Sequence, residues 1–138
     1  MIVPTIRQVV LDGTDIRTLA EFYRQLLGYE YRPGDEPLAE GPDELEWLVL
    51  RSPGGAPQLA FQQVERLTPT TWPEDDVPMQ LHLDCSVPDV LSLQQVLQTA
   101  LGLGATLRLD RSEDPDEPLY VLVDPAGHPF CVFVEAPL

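Results

Sequence analysis

The chain has no lysine. Its eight basic residues are all arginine and stand singly, at Arg7, Arg17, Arg24, Arg32, Arg51, Arg66, Arg108 and Arg111. Against 23 acidic residues they leave a formal charge of −15. No basic stripe exists, so neither nucleic acid nor an anionic membrane is an expected partner. Long apolar runs are also missing: none approaches the roughly 20 residues of a membrane helix. The opening MIVPTIRQVVLDG has neither the basic start nor the small-residue cleavage site of a secretory signal. Cysteine is scarce. Cys85 and Cys131 are the only two, with no CxxC, which speaks against a disulfide scaffold and for free thiols in a cytoplasmic protein. There is no phosphate-binding glycine loop, no dinucleotide fingerprint, no HExxH and no GxSxG.

What is present is a core's worth of apolar residues, 43% of 138, enough for one domain or two half-domains sharing it. The acidic excess collects in Pro/Gly-rich stretches, PGDEPLAEGPDELE (33–46), WPEDD (72–76) and DRSEDPDEP (110–118). These read as solvated loops that also provide a field favouring cationic ligands.

The spacing contains a repeat. QVVLDGTD, from Gln8, and HLDCSVPD, from His82, each run from a polar residue through a strand-like stretch to an aspartate. Gln8 and His82 stand 74 positions apart, as do Asp15 and Asp89. A helical pattern follows each aspartate: Ile16, Leu19, Phe22, Tyr23, Leu26 and Leu27 in the first half, Val90, Leu93, Val96, Leu97 and Leu101 in the second. Asp15 and Asp89 are the expected N-caps, and Gly28 and Gly102 the expected helix stops of positive φ. Strands are expected at YEYR (29–32), LEWLVL (45–50), ATLRL (105–109) and PLYVLV (118–123). The ends SPGGAPQLAFQQV (52–64) and DPAGHPFCVFVEA (124–136) each read as a turn leading into a strand. Each half is therefore β-α-β-β-β. The expected architecture is α+β, one domain over 1–138 made of two modules, 5–64 and 79–136, with a Pro-rich linker at 65–78.

This duplicated order resembles the vicinal oxygen chelate superfamily, the glyoxalase/bleomycin-resistance/dioxygenase group, and within it the glyoxalase-like branch. The resemblance is carried by Gln8, Asp15, Phe22-Tyr23 and Leu27-Gly28 in one half. In the other it is carried by His82, Asp89, Leu101-Gly102 and the run Asp124-Pro-Ala-Gly-His-Pro129. It implies two βαβββ modules forming a cupped mixed sheet, and a homodimer. It also implies four inward places for metal ligands, which fall on Gln8, Leu59, His82 and Cys131. Leu59 cannot ligate, and the glutamate usual at the Leu59 and Cys131 places is missing from both. No cofactor is therefore expected. If a divalent metal does bind, Gln8, His82 and Cys131 are its expected ligands.

Alternation on the strand 80–87 puts Gln80, His82, Asp84 and Ser86 on one face and Leu81, Leu83, Cys85 and Val87 on the other. Asp84 can thus orient the His82 ring, and this pair is the catalytic candidate if catalysis occurs. Gln8, Trp47, Leu59, Phe61, His82, Cys131 and Phe133 are the candidate ligand-binding residues, a few polar groups among apolar and aromatic walls. His82 read blandly ties two strands together, Cys131 is a small buried hydrophobe, His128 a turn residue and Trp72 a linker anchor rather than a lid. The leading expectation is a glyoxalase-like protein that binds a small organic molecule, cationic or aromatic, without metal. The alternatives are a lyase, isomerase or dioxygenase using His82, and a drug-sequestering resistance-type protein.

Overall fold

The computed structural model describes residues 1–54 and 58–135. The tip of the expected turn in 52–57 and the end of the second module at 136 lie outside them. The chain divides into two compact modules, Met1–Leu67 and Thr68–Leu138. In the first, β1 (Gln8–Gly13) leads to α1 (Ile16–Leu27), then β2 (Glu30–Tyr31), β3 (Trp47–Arg51) and β4 (Gln58–Gln63). The second repeats the order with β5 (Leu83–Val87), α2 (Val90–Gly102), β6 (Thr106–Arg111), β7 (Leu119–Val123) and β8 (Pro129–Val134). Each sheet has four strands, ordered β1-β4-β3-β2 and β5-β8-β7-β6. In both, the first and last strands of the module pair in parallel and the other pairs are antiparallel. The α+β class and the βαβββ repeat are as expected. No helix among the described residues is long and apolar enough to cross a membrane.

The local signals work through their stated physics. The Asp15 carboxylate accepts the Thr18 N–H at 3.2 Å and the Thr18 hydroxyl at 2.7 Å. Asp89 accepts the Ser92 N–H at 2.7 Å. These bonds satisfy backbone donors that a first helical turn leaves free. Gly28 closes α1 in the left-handed region at φ 68°. Gly102 does not do the same for α2. It is the last helical residue, Leu103 is the cap, and Gly104 takes the positive φ of 111°. The helix runs on because a second glycine follows. The Leu103 N–H bonds back to the Thr99 carbonyl and the Ala105 N–H to that of Ala100, both at 3.0 Å.

α1 buries Ile16, Leu19, Ala20, Phe22 and Tyr23. The Tyr23 ring stacks on Phe61 of β4, with centroids 6.1 Å apart. Burying side chains of this size stabilises a fold by about 1.5–3 kcal/mol each. α2 buries Leu93 and Ala100, while Val90 and Leu101 stay exposed. Strand β5 starts at Leu83, so Leu81 lies before it and is exposed rather than packed.

The acidic loop between β2 and β3 is exposed from 33 to 46 as its composition suggests, except at Asp35. Asp35 is buried, and its Oδ2 accepts the Val49 N–H at 2.9 Å. Arg17 holds the same loop, donating to the Asp43 carboxylate at 2.5 Å and to the Asp35 carbonyl at 2.7 Å. In the second module, Trp72 anchors the connecting segment: it is half-buried and its carbonyl accepts from the Arg108 guanidinium. His128 lies in a turn, where its N–H and that of Ala126 donate to the Asp124 carboxylate at 3.0 and 2.9 Å.

Candidate functional site

Strand register decides which side chains share a face. In the first module Val9 pairs with Leu59 and Leu11 with Phe61. Paired residues point to the same side of a sheet. Since Phe61 stacks on Tyr23 of α1, Leu59 and Phe61 lie on the helix side, buried in the core. They are not walls of a site on the face that carries Gln8. The expected places differ from the structure by one residue of register: the counterpart of Leu59 in the second module is Phe130, paired with Leu83 as Leu59 is with Val9. The counterpart of Cys131 is Ala60, which pairs with Val10. A slip of one position moves a side chain to the opposite face. Trp47, paired with Gln62, does share the face of Gln8, Val10 and Asp12. With Ala60 at the place of Cys131, the first module offers no donor at that position, although Gln58 and Gln62 of the same strand lie on the same face.

The second module does. Asp84 and Cys131 are direct partners across β5 and β8, and Ser86 pairs with Phe133 on the same face. His82 precedes β5 by one residue and stands two residues from Asp84. An imidazole nitrogen of His82, a carboxylate oxygen of Asp84 and the Cys131 sulfur all lie within 4.8 Å of one another. His82 Nε2 is 3.1 Å from Asp84 Oδ1, and the two side chains are 36% and 57% exposed. The imidazole and the carboxylate are open to a ligand, and the thiol behind them is half-buried.

The thiol is not an activated nucleophile. Burial, the adjacent Asp84 charge and a hydrogen bond to Asp84 push the Cys131 pKa from 9.0 up to about 11. Each effect favours the neutral S–H. Cys85 sits on the opposite face, where burial and then the charge of Asp84 also raise its pKa. Far along the same module, Asp110, Arg111, Glu113 and Asp114 line a surface hollow. That segment is a turn closed on itself, with Arg111 3.0 Å from Asp114 and the Ser112 hydroxyl 2.6 Å from Asp110.

Of the expected site residues, the second module brings His82, Asp84, Cys131 and Phe133 to one face. Leu59 and Phe61 are not among them. Asp84 is also the cross-strand partner of Cys131, which alternation along a single strand does not show. The cross-strand register that creates this pairing depends on where β8 begins.

The model of a glyoxalase-like domain family matches residues 8–133. No curated protein matches the chain in sequence. Among solved structures, it is similar to a glyoxalase/bleomycin resistance protein/dioxygenase family enzyme from Burkholderia phytofirmans PsJN. The identity is 17%, the match covers 95% of this chain and 98% of that one, and the TM-score is 0.70. It is also similar to the fosfomycin resistance protein FosX from Mesorhizobium loti, at 11% identity, covering 98% and 95%, with TM-score 0.68. A possible glyoxalase from Bacillus cereus is 14% identical over 94% of this chain and 98% of that one, with TM-score 0.63. At such identities these likenesses establish the fold.

Proposed function

Because the chain belongs to the glyoxalase-like domain family, we propose that it binds a small organic cation on the polar face of its second sheet. The observation that carries this reading is the exposed His82–Asp84 pair, 3.1 Å apart, with the Cys131 thiol beside it. Asp84 offers a carboxylate to a cationic or hydrogen-bonding group. Phe133 offers aromatic surface on the same face. The formal charge of −15 adds a field that concentrates cations near the chain. Binding of this kind needs no metal, because imidazole, carboxylate and thiol all act directly as hydrogen-bonding groups.

A second reading is favoured by the same pair. A carboxylate 3.1 Å from an imidazole fixes the orientation of the ring. If the ligand turns over, His82 is the general base and Asp84 its positioning residue, in a lyase or isomerase. The resemblance to bleomycin-resistance proteins adds a third outcome, sequestration of a drug-like molecule without turnover.

Calorimetry of the tag-free protein with small aromatic amines and guanidines tests these readings, with product analysis of the same mixtures. Saturable binding that Asp84→Asn weakens by about tenfold, the value of one charge-assisted hydrogen bond, supports the site. Turnover abolished by His82→Ala selects the enzyme, and binding without turnover selects sequestration. Binding indifferent to both substitutions would place the ligand elsewhere.

A further inference from the structure

The geometry points to a divalent-cation site of the zinc class held within the second module alone, by His82, Asp84 and Cys131. It shares the face proposed above for an organic ligand but does not depend on that ligand. It also differs from the ligand set implied by the resemblance, because Gln8 and the first module take no part and Asp84 enters.

Three observations carry it. First, the donors converge. One atom from each residue lies within 4.8 Å of the other two. Around a tetrahedral ion with about 2.0–2.1 Å to nitrogen or oxygen and about 2.3 Å to sulfur, donor atoms sit roughly 3.3–3.6 Å apart. The 3.1 Å between His82 Nε2 and Asp84 Oδ1 is close to that edge already. Only the Cys131 sulfur has to close in, by a side-chain adjustment. Second, the backbone under the donors is regular. Asp84 and Cys131 are paired across a parallel ladder, and His82 stands one pleat period from Asp84. Third, the chemistry of the set is selective. A thiolate and an imidazole with one carboxylate suit Zn²⁺ or Co²⁺, and suit poorly the oxygen-seeking Mg²⁺ and Ca²⁺. Three protein donors leave a fourth position open on an exposed face, the pattern of a site that takes a water or a ligand.

The expectation of no metal rested on two missing glutamates. Asp84 removes half of that objection: it brings a carboxylate to the neighbourhood of His82 from the first strand of the module instead of the last.

The test uses the full tag-free chain, stripped with a chelator and titrated with Co²⁺ and then Zn²⁺ alone. One equivalent of Co²⁺ is expected, with tetrahedral d–d bands and a near-ultraviolet sulfur-to-cobalt charge-transfer band, both discharged by Zn²⁺ and untouched by Mg²⁺. Cys131→Ser should remove the charge-transfer band. His82→Ala and Asp84→Asn should each weaken binding by at least the roughly tenfold that even an outer-shell partner costs. Circular dichroism of each variant separates these effects from misfolding, and Cys85→Ser, on the opposite face, should retain the band. No Co²⁺ binding by the folded wild-type chain would overturn the proposal while leaving the organic-ligand reading intact. Binding without the charge-transfer band, or binding abolished by Gln8→Ala, would overturn the single-module ligand set.

Discussion

Asp35→Ala is the sharpest test of how the first module is held. Strand β2 pairs with β3 at only two positions, Glu30 with Arg51 and Tyr31 with Leu50. Beyond them the chain turns, and the Arg32 N–H still donates to the Val49 carbonyl at 2.9 Å. The Val49 N–H has no strand opposite it. The Asp35 Oδ2 takes the strand's place at 2.9 Å, and Arg32 braces the carboxylate from the other side at 3.1 Å. Val49 is 2% exposed, so water cannot substitute freely as acceptor. Removing the carboxylate leaves a buried donor unpaired, at about 1–3 kcal/mol. The half-exposed Arg32 contributes roughly 0–1 kcal/mol more. The expected loss is about 2–3 kcal/mol, which for a chain of this length lowers Tm by roughly 6–12 °C. Asp35→Asn keeps an oxygen in place and gives up only the charge assistance, so its loss should be about half as large. Thermal melts read by Trp47 fluorescence on β3 measure both, and hydrogen exchange should show the Val49 amide losing protection in the alanine variant. A melt within about 2 °C of wild type for Asp35→Ala, or equal losses for both variants, would refute this account of the carboxylate as a missing strand.

Two further outcomes follow from the second module and the helix caps. Cys131 in chelator-treated protein should react with iodoacetamide at pH 8 about 100-fold more slowly than an unhindered thiol, because a pKa moved from 9.0 to about 11 lowers the thiolate fraction by that factor. Asp84→Asn should restore part of the rate; an unchanged rate would remove Asp84 as a cause. Since the folded thiol keeps its proton when the unfolded one has lost it, stability should fall as pH rises from 9.0 towards about 11, and Cys131→Ala should flatten that slope. At the start of α1, Asp15→Ala should cost about 1 kcal/mol by losing the Thr18 N–H acceptor. Asp15→Asn should cost less in the same denaturant titration, and equal costs would mean that the carboxylate charge rather than the cap bond stabilises the turn.

Much of this fold is legible because its signals are local. An aspartate followed by residues at spacings of three and four marks a capped helix, and it does so twice, 74 positions apart. What is not local reads poorly. Asp35 looks like one more acid in a Pro/Gly-rich acidic loop, and only the nearby Arg32 hints that it is held. Its burial comes from a strand that ends early, which no propensity announces. Gly102 failed as a stop because a second glycine two residues on let α2 run to its last turn.

The site shows the same division more sharply. Alternation along one strand placed His82 and Asp84 together, since a period of two is written in the sequence. Across strands the information is the register, and in the first module it lies one residue from the place the resemblance implies. That single residue separates Leu59, in the core against α1, from Ala60, which lines up with Val10. In the second module the matching position is Cys131, opposite Asp84. So the two halves have diverged in kind. The first has Val10 and Ala60 where the second has a carboxylate and a thiol, so at this pair of positions only one copy carries groups able to ligate. A function that needed ligands from both last strands has lost one of them here. A function carried by His82, Asp84 and Cys131 needs only the second.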